Sequence, residues 1–273
     1  MRLGLVLPIN NPDGSLLSGP ELAAWAGRIE AACFDSVWLN HTLSRRGAHP
    51  DPLIWLAVAA SATRRIEIGT AILQVPLRRP VELAQSILTL HGLAGGRLSL
   101  GVGAGSSNAD FQSLGLDFSR RFHLLTESLA NMRRLWKGNQ VGDANIKPWP
   151  GTEGGPRVLL GSWTSDKWIR RAADEFDGWM TSGANTGFNN LRDAIKRYRD
   201  AGGQRAVVTS VRVDLSGANE PLDPGGPFRL VCSAQEASDR LNRVADLGYD
   251  DVIVFNFDVT KLDLDKIRAL VPT

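Results

Sequence analysis

Short apolar runs alternate along the chain with longer amphipathic segments. The runs are rich in Val, Ile and Leu and predict strands at Leu3–Ile9, Ser36–His41, Ile66–Val75, Leu98–Gly103, Val158–Gly161, Gly178–Ser182, Ala206–Val213 and Asp251–Phe257. The amphipathic segments predict helices at Pro20–Cys33, Pro52–Ala62, Pro80–His91, Arg120–Trp136, Asp166–Phe176, Phe188–Ala201, Ala234–Leu247 and Lys261–Leu270. Near-continuous apolar strands are typical of a parallel sheet covered by helices. Eight strand–helix units therefore predict an α/β fold, a single (β/α)8 TIM barrel domain over residues 1–273.

Two stretches interrupt the alternation. Residues 138–156 are rich in Gly and Pro and too short to form a domain, so they are interpreted as a surface excursion before the fifth strand. Residues 216–230 follow the seventh strand, which places them at the C-terminal mouth of a barrel. They are either a mobile cover of the active site or an inert loop.

Composition narrows the range of partners. The 31 basic and 29 acidic residues nearly cancel, and no polybasic tract occurs, so nucleic acid and anionic membranes are excluded as partners. No apolar stretch approaches the roughly 18 residues of a membrane span, and the N-terminus lacks a cleavage site. Cys33 and Cys232 lie far apart and suit reduced thiols. We expect a cytoplasmic protein with a small-molecule ligand.

The glycine-rich stretch "GRLSLGVGAGSSNADF", residues 96–111, resembles a dinucleotide-binding loop at first sight. That loop requires a third glycine three residues after the second, and Ser106 occupies the position here. The alternative is a strand end whose glycines permit a tight turn.

The predicted strand ends carry amide, hydroxyl and glycine groups rather than a reactive lysine or a metal-ligand cluster. Without a lysine at a strand end, Schiff-base chemistry is disfavoured. The four histidines show no metal-ligand spacing, so no metal site is expected. A mouth of this kind suits a polar cofactor that performs the chemistry itself.

An anion site is predicted in "LLGSWTSDKWIRRAADEFDGWM", residues 159–180. Gly161 lets the backbone approach a ligand, and Ser162, Thr164 and Ser165 provide hydroxyls where the next helix begins. Helix N-terminal amides attract phosphate. The alternative is that Thr164 or Ser165 only caps the helix. Trp163 flanks the fifth strand end and Trp179 the sixth, where each either lines a pocket or packs in the core.

Three stretches together resemble the bacterial luciferase-like flavin-dependent oxidoreductases. They are "FDSVWLNH", "IEIGTAILQVPLRRPVELAQSILTLHGLAGGRLSLGVGAG" and "VLLGSWTSDKWIRRAADEFDGWM". The resemblance runs from Leu3 to about Met180 and more weakly through "LNRVADLGYDDVIVF". It implies a (β/α)8 barrel that uses FMN or the deazaflavin F420, with the glycine-rich stretch lining the flavin pocket.

The resemblance also implies the site residues. His41 would lie near flavin and substrate as the catalytic residue, and a cis peptide would join Ala71 to Ile72 beneath the flavin ring. The implied cofactor-binding residues are Asn40, Thr70, Ala71, Ile72, Gly103, Ala104, Gly105, Gly161, Ser162, Trp163, Thr164 and Ser165. Luciferase has an arginine at the position of Ala104, so backbone donors would hold the phosphate here. Asn40 replaces an acidic residue of many F420-dependent relatives, which favours FMN.

The function implied is that of a monooxygenase that uses reduced FMN and O2 on a small organic substrate and incorporates oxygen from O2. A separate flavin reductase would supply the reduced FMN, because no second dinucleotide fold is present to hold NAD(P)H. A homodimer is implied as well. The alternatives are an F420-dependent dehydrogenase or reductase, and a flavin-binding protein without turnover.

Overall fold

The chain folds into a closed barrel of eight parallel strands, which confirms the predicted (β/α)8 architecture. The computed structural model describes residues 1–43, 49–216 and 219–272. The strands are β1 Arg2–Val6, β2 Ser36–Leu39, β3 Glu67–Gln74, β4 Leu98–Gly103, β5 Arg157–Gly161, β6 Gly178–Ser182, β7 Ala206–Asp214, β8 Leu230–Val231 and β9 Asp251–Phe255. The ring runs from β1 through β7 to β9, and β9 pairs with both β7 and β1. The two-residue β8 adds only to the end of β7.

Helices pack around the outside of the ring. They are α1 Gly19–Ala31, α2 Pro52–Ala62, α3 Pro80–Leu93, α4 Asn108–Gln112, α5 Arg121–Trp136, α6 Asp166–Glu175, α7 Phe188–Asp200, α8 Ala234–Asp246 and α9 Leu264–Arg268. Side chains fix several starts, since Asp51 accepts hydrogen bonds from Leu53 N and Ile54 N at α2. The short α4 lies where the sequence shows little helical periodicity. Among the described residues, no helix is both long and apolar enough to cross a membrane.

The largest side chain in the interior of the barrel, Trp38, packs against glycines on the two neighbouring strands. Trp38 on β2 lies across Gly4 and Gly69 on the two adjacent strands, and a Cβ at Gly4 would come within 2.8 Å of its Nε1 atom. The indole N–H donates to Ser36 Oγ at 2.7 Å, which satisfies its polar group within the core. Trp38 therefore forms the floor beneath the C-terminal mouth.

An ion cluster closes the N-terminal end of the barrel. Arg205, just before β7, donates to Asp251 on β9 at 2.9 Å and to Glu67 on β3 at 2.8 Å, and Arg2 pairs with both carboxylates. Burial works to raise the pKa of Glu67, but Arg205 and Arg2 hold it at about 2. Burial raises the pKa of Asp251, and its hydrogen bonds to Arg205 only partly offset this.

Two strands on opposite sides of the ring carry irregularities. On β3 the register with β4 shifts between Thr70 and Leu73, and the Ala71–Ile72 peptide inside this segment is cis, as predicted. On β7 the register with β9 shifts between Val208 and Val211. Both irregular segments lie toward the C-terminal mouth.

Candidate active site

Strand register identifies the side chains that line the mouth. Residues paired across parallel strands point to the same face of a sheet, and alternate residues along a strand share a face. The side chains of Trp38, Met180, Val207 and Ile253 pack together inside the barrel. Pairing and alternation from these four residues identify the positions near the mouth whose side chains also point inward. They are Val6, Asn40, Ala71, Ile72, Gly103, Gly161, Ser182, Thr209 and Phe255. The mouth therefore combines an apolar floor with amide and hydroxyl groups.

His41 lies directly after β2 and is 6% exposed. Its backbone N–H donates to Ile72 O at 3.0 Å, so it is tied to the irregular segment of β3. The ring Nδ1 atom is buried and has no hydrogen-bond partner among the described residues. Burial, helped by the positive charge of Arg78 and opposed in part by Asp51 and Asp110, lowers the pKa of His41 to about 4. His41 is thus a neutral imidazole near neutral pH with an open nitrogen.

Gln74, at the end of β3, holds the backbone around His41 in place. Its side-chain Nε2 donates to His41 O at 2.8 Å and to Asp110 Oδ2 at 2.9 Å. Asp110 is fully buried on α4. The Oε1 atom of Gln74 is buried and has no partner among the residues described. Gln74 therefore joins the mouth ends of β2, β3 and the loop after β4.

A second carboxylate sets the charge beside His41. Asp51 caps α2 and pairs with Arg78, which follows β3. Burial works to raise the pKa of Asp51, but the Arg78 guanidinium holds it below its usual value. Asp51, Gln74 and Asp110 act on His41 through long-range contacts, so sequence reasoning missed their roles. In the sequence, Gln74 is recognisable only as an amide at a strand end, and Asp110 only as an acidic residue in the glycine-rich stretch.

The predicted residues on β3, β4 and β5 meet around one side chain. A Cβ at Gly103 would lie 2.5 Å from Ile72 Cδ1, and a Cβ at Gly161 would lie 2.6 Å from Ile72 Cγ2. The two glycines therefore admit Ile72 to the mouth. Thr70 points its hydroxyl to Gly101 O at 2.7 Å, in the barrel wall. Further residues of the predicted set adjoin this group, namely Asn40, which is exposed, and Ala71, Ala104 and Gly105.

The loop between β5 and α6 contains the residues of the predicted anion site, and their side chains differ in what they already bind. Ser162 Oγ accepts the indole N–H of Trp179 at 2.9 Å, so this hydroxyl is committed to packing. Ser165 is the N-cap residue of α6, yet its side chain makes no capping hydrogen bond. Thr164 is partly exposed, and Trp163 is 57% exposed. Trp168 N already donates to Ser165 O at 3.0 Å, so the amides of Asp166 and Lys167 and the two hydroxyls are the donors that remain for an anion.

Trp179 lies outside the pocket. It is fully buried, and its ring packs against Tyr198 and Tyr249 at centroid distances of 5.4 and 6.1 Å. Strand alternation explains this, because Gly178 and Met180 face inward and Trp179 must face the outer helices. Of the two tryptophans considered for the pocket, Trp163 alone stays a candidate.

The loop after β7 is held at both described ends. Arg240 on α8 donates to Glu220 O at 2.7 Å and to Arg229 O at 3.0 Å. Glu220 N also donates to Val231 O at 2.9 Å. The part of the predicted cover at residues 217 and 218 lies outside the described residues. The tip is held as well, because Asn189 N on α7 donates to Pro224 O at 3.2 Å, so the described part of the loop favours the inert-loop alternative.

The observed groups fit a flavin. Two buried polar atoms without a described partner, His41 Nδ1 and Gln74 Oε1, belong to residues at the mouth ends of β2 and β3, and the N-terminus of α6 follows β5. Asp166 occupies the first turn of α6, but its carboxylate pairs with Arg197, so its charge is compensated. No cluster of three His, Cys, Asp or Glu side chains suited to a metal occurs within the described ranges.

Fold and site together place the chain in the class of (β/α)8 barrels that bind ligands at the C-terminal mouth. The family model for luciferase-like monooxygenases matches residues 1–216. The chain therefore belongs to the luciferase-like monooxygenase family.

Curated relatives differ in their printed activities. An F420-dependent glucose-6-phosphate dehydrogenase of Amycolatopsis mediterranei is 32% identical over 201 residues, which cover 67% of this chain and 60% of that protein. A 4-hydroxyprotoasukamycin monooxygenase of Streptomyces nodosus subsp. asukaensis is 34% identical over 131 residues, 48% of this chain and 34% of that protein. The chain thus spans less than two thirds of either relative.

Solved structures show the same fold at low identity. A monooxygenase from Streptomyces bottropensis superposes with a TM-score of 0.79 at 18% identity, covering 99% of this chain and 98% of that one. The oxygenating constituent of 3,6-diketocamphane monooxygenase from Pseudomonas putida, in complex with FMN, has a TM-score of 0.78 at 19% identity, covering 99% and 97%. At these identities the likeness concerns the fold alone.

Proposed function

We propose that the chain is a flavin-dependent monooxygenase that uses reduced FMN and O2 on a small organic substrate. The observation that carries the proposal is the neutral, buried His41, which follows β2 directly at the mouth end of the barrel and whose Nδ1 has no partner among the described residues. A neutral imidazole held by fixed backbone contacts can accept a proton as a general base, and this base form is the populated one near neutral pH.

Two groups of residues would hold FMN. The first-turn amides of α6, with the hydroxyls of Thr164 and Ser165, would bind the phosphate. The backbone at Ala71 and Ile72, beside Gly103, would support the ring. Reduced FMN, when bound, supplies the electrons that reduce O2.

The protein's own part in the reaction follows from burial and charge. His41 Nδ1 accepts or returns a proton at the reacting centre, because its lowered pKa keeps it unprotonated near neutral pH. Gln74 fixes the backbone of His41, and the Asp51–Arg78 ion pair lies near enough to act on the pKa of His41. Val6, Ile72 and Phe255 exclude water from the floor of the mouth.

Charge pairing favours FMN over F420. F420 carries an acidic tail that needs several cations, whereas FMN carries one phosphate. In the described part of the chain, Arg78, Arg197, Arg229 and Lys261 are each paired with a carboxylate, and the unpaired Arg212 on β7 is a single charge, too little for such a tail. An F420-dependent dehydrogenase is the second candidate, and its support is the 32% identity to an F420-dependent relative.

The proposal is tested by titrating the purified chain separately with FMN and F420 and then measuring O2 uptake. Tighter binding of FMN, with O2 uptake that depends on reduced FMN and substrate, supports the monooxygenase. Tight binding of F420 without O2 uptake supports the dehydrogenase. FMN binding without any turnover indicates a flavin-binding protein, and binding of neither cofactor contradicts the flavin assignment.

Replacing Ser165 with Asp is expected to weaken FMN binding at least tenfold, about 1.4 kcal/mol, because a carboxylate beside the phosphate repels it. Asp is itself a good N-cap, so α6 is retained. Ser165→Asn is the matched neutral control and is expected to lose far less. Fluorescence titration with FMN measures all three. An equal loss in Arg79→Ala would instead place the phosphate beside the arginines that follow β3.

We also propose a homodimer and a separate flavin reductase. Helix α2 carries no charged residue, and Ile54 on its outer side is 68% exposed, a pattern that suits burial against a second copy. Light scattering would show the mass of two chains. The reductase requirement appears as turnover with NADH only when a reductase is added.

A further inference from the structure

The irregular segment of β7 changes which side chains face the mouth. Val208 pairs with Val252, but the next pair is Val211 with Val254, so β7 uses one residue more than β9. The extra residue lies beside Ser210, whose φ of 58° is uncommon for a residue other than glycine. A bulge of this kind re-aims the side chains that follow it.

The consequence is an inward arginine. Val207 faces inward, so simple alternation along β7 would turn residue 212 outward. After the bulge, Arg212 pairs with Phe255, which belongs to the inward series of Asp251 and Ile253 on β9. The bulge therefore places the Arg212 side chain at the mouth, in the layer of Phe255.

Arg212 brings an uncompensated charge to this position. Its side chain is exposed and makes no hydrogen bond or ion pair with any residue in the described ranges. The nearby Lys261 is neutralised by Asp214, two residues along β7, at 2.6 Å. Because the guanidinium of Arg212 is unpaired, its planar set of N–H donors is free to bind an anion.

The neighbouring surface is apolar and aromatic. Phe255 stacks edge-on with Phe257 at a centroid distance of 4.8 Å, and Phe257 is 87% exposed. Val6 on the adjacent β1 is partly buried and packs against the inner cluster. A ligand at Arg212 would therefore lie with its remaining atoms against an apolar wall.

We propose that Arg212 binds an oxyanion of the substrate, a carboxylate or a phosphate monoester attached to an apolar body. The inference rests on the proposed function, because it assigns the substrate side of the same mouth. Two features build this subsite, the bulge at Ser210 and the aromatic pair of Phe255 at the end of β9 and Phe257 just after it.

The test is isothermal titration of the full chain with three six-carbon probes, hexanoate, hexyl phosphate and 1-hexanol. The wild-type chain is expected to bind at least one anionic probe ten times or more tighter than hexanol. Arg212→Gln should remove that preference and leave hexanol binding unchanged, and Arg212→Lys should keep part of it. Arg79→Gln, a change at an exposed arginine outside the barrel, is the matched control and should alter neither.

FMN titration of the same variants separates this proposal from the proposed function. Arg212→Gln should keep the wild-type affinity for FMN within about twofold. If the wild type binds no FMN but retains the anion preference, the cofactor assignment fails and the subsite stands. Equal binding of all three probes, or loss of FMN affinity without loss of the anion preference, overturns the subsite. Whether hexanoate or hexyl phosphate binds more tightly identifies the oxyanion.

Discussion

Replacing Arg205 with Met is expected to lower the free energy of unfolding by about 3–5 kcal/mol. Arg205 donates hydrogen bonds to both Glu67 and Asp251, whose side chains are almost fully buried at the N-terminal end of the barrel. Methionine keeps much of the side-chain volume but leaves two buried carboxylates with Arg2 as their main partner. Urea unfolding followed by circular dichroism measures the loss.

Two further variants test the reason for that loss. Arg157→Met also removes a cation near Glu67, but Arg157 is more than half exposed and lies 3.8 Å away, so it should cost less than about 1 kcal/mol. Combining Arg205→Met with Glu67→Gln and Asp251→Asn should restore part of the stability, because no buried charge is then left unpaired. A triple variant as unstable as Arg205→Met would show that packing, not charge, causes the loss.

The sequence predicted the barrel because the pattern that specifies it is local. Each strand is a short run of apolar residues and each helix an amphipathic segment, so both are visible within a window of ten to fifteen residues. The ion cluster is not visible in this way, since Glu67 and Arg205 are 138 positions apart. The bulge at Ser210 is hidden for a different reason. It follows from pairing with β9, and "AVVTSVRVD" alone predicts a regular strand.

The sequence predicted a residue of the candidate site only where a chemically suitable side chain lies at the end of a predicted strand. The resemblance indicated His41 and the cis Ala71–Ile72 bond, and the structure confirms that bond. The neutral state of His41 depends on its burial and on Arg78, 37 positions further along the chain. Arg212 escaped notice because strand alternation, without the bulge, turns it away from the mouth. Long-range pairing therefore decides which strand-end residues share the site.

Replacing His41 with Asn is expected to lower kcat about 10²- to 10⁴-fold, the range for loss of a positioned proton-transfer group. Asparagine can still form hydrogen bonds but cannot take up a proton, so FMN affinity should change little. His91→Asn is the matched control, because His91 is also buried, has an Nδ1 without a described partner and has a pKa lowered by burial. It lies in the last turn of α3, at the opposite end of that helix from the mouth, so kcat should be unchanged.

The pH dependence of the wild-type chain distinguishes proton transfer by His41 from a purely structural role. The neutral imidazole is the active form, and its pKa is about 4. The contribution of His41 to kcat should therefore stay constant from pH 8 to about pH 5 and fall as the pH drops through about 4. In His41→Asn the remaining rate should lose this acid limb. If the acid limb persists in the variant, or if it lies near pH 6.5 in the wild type, His41 is not the buried neutral base inferred from the structure.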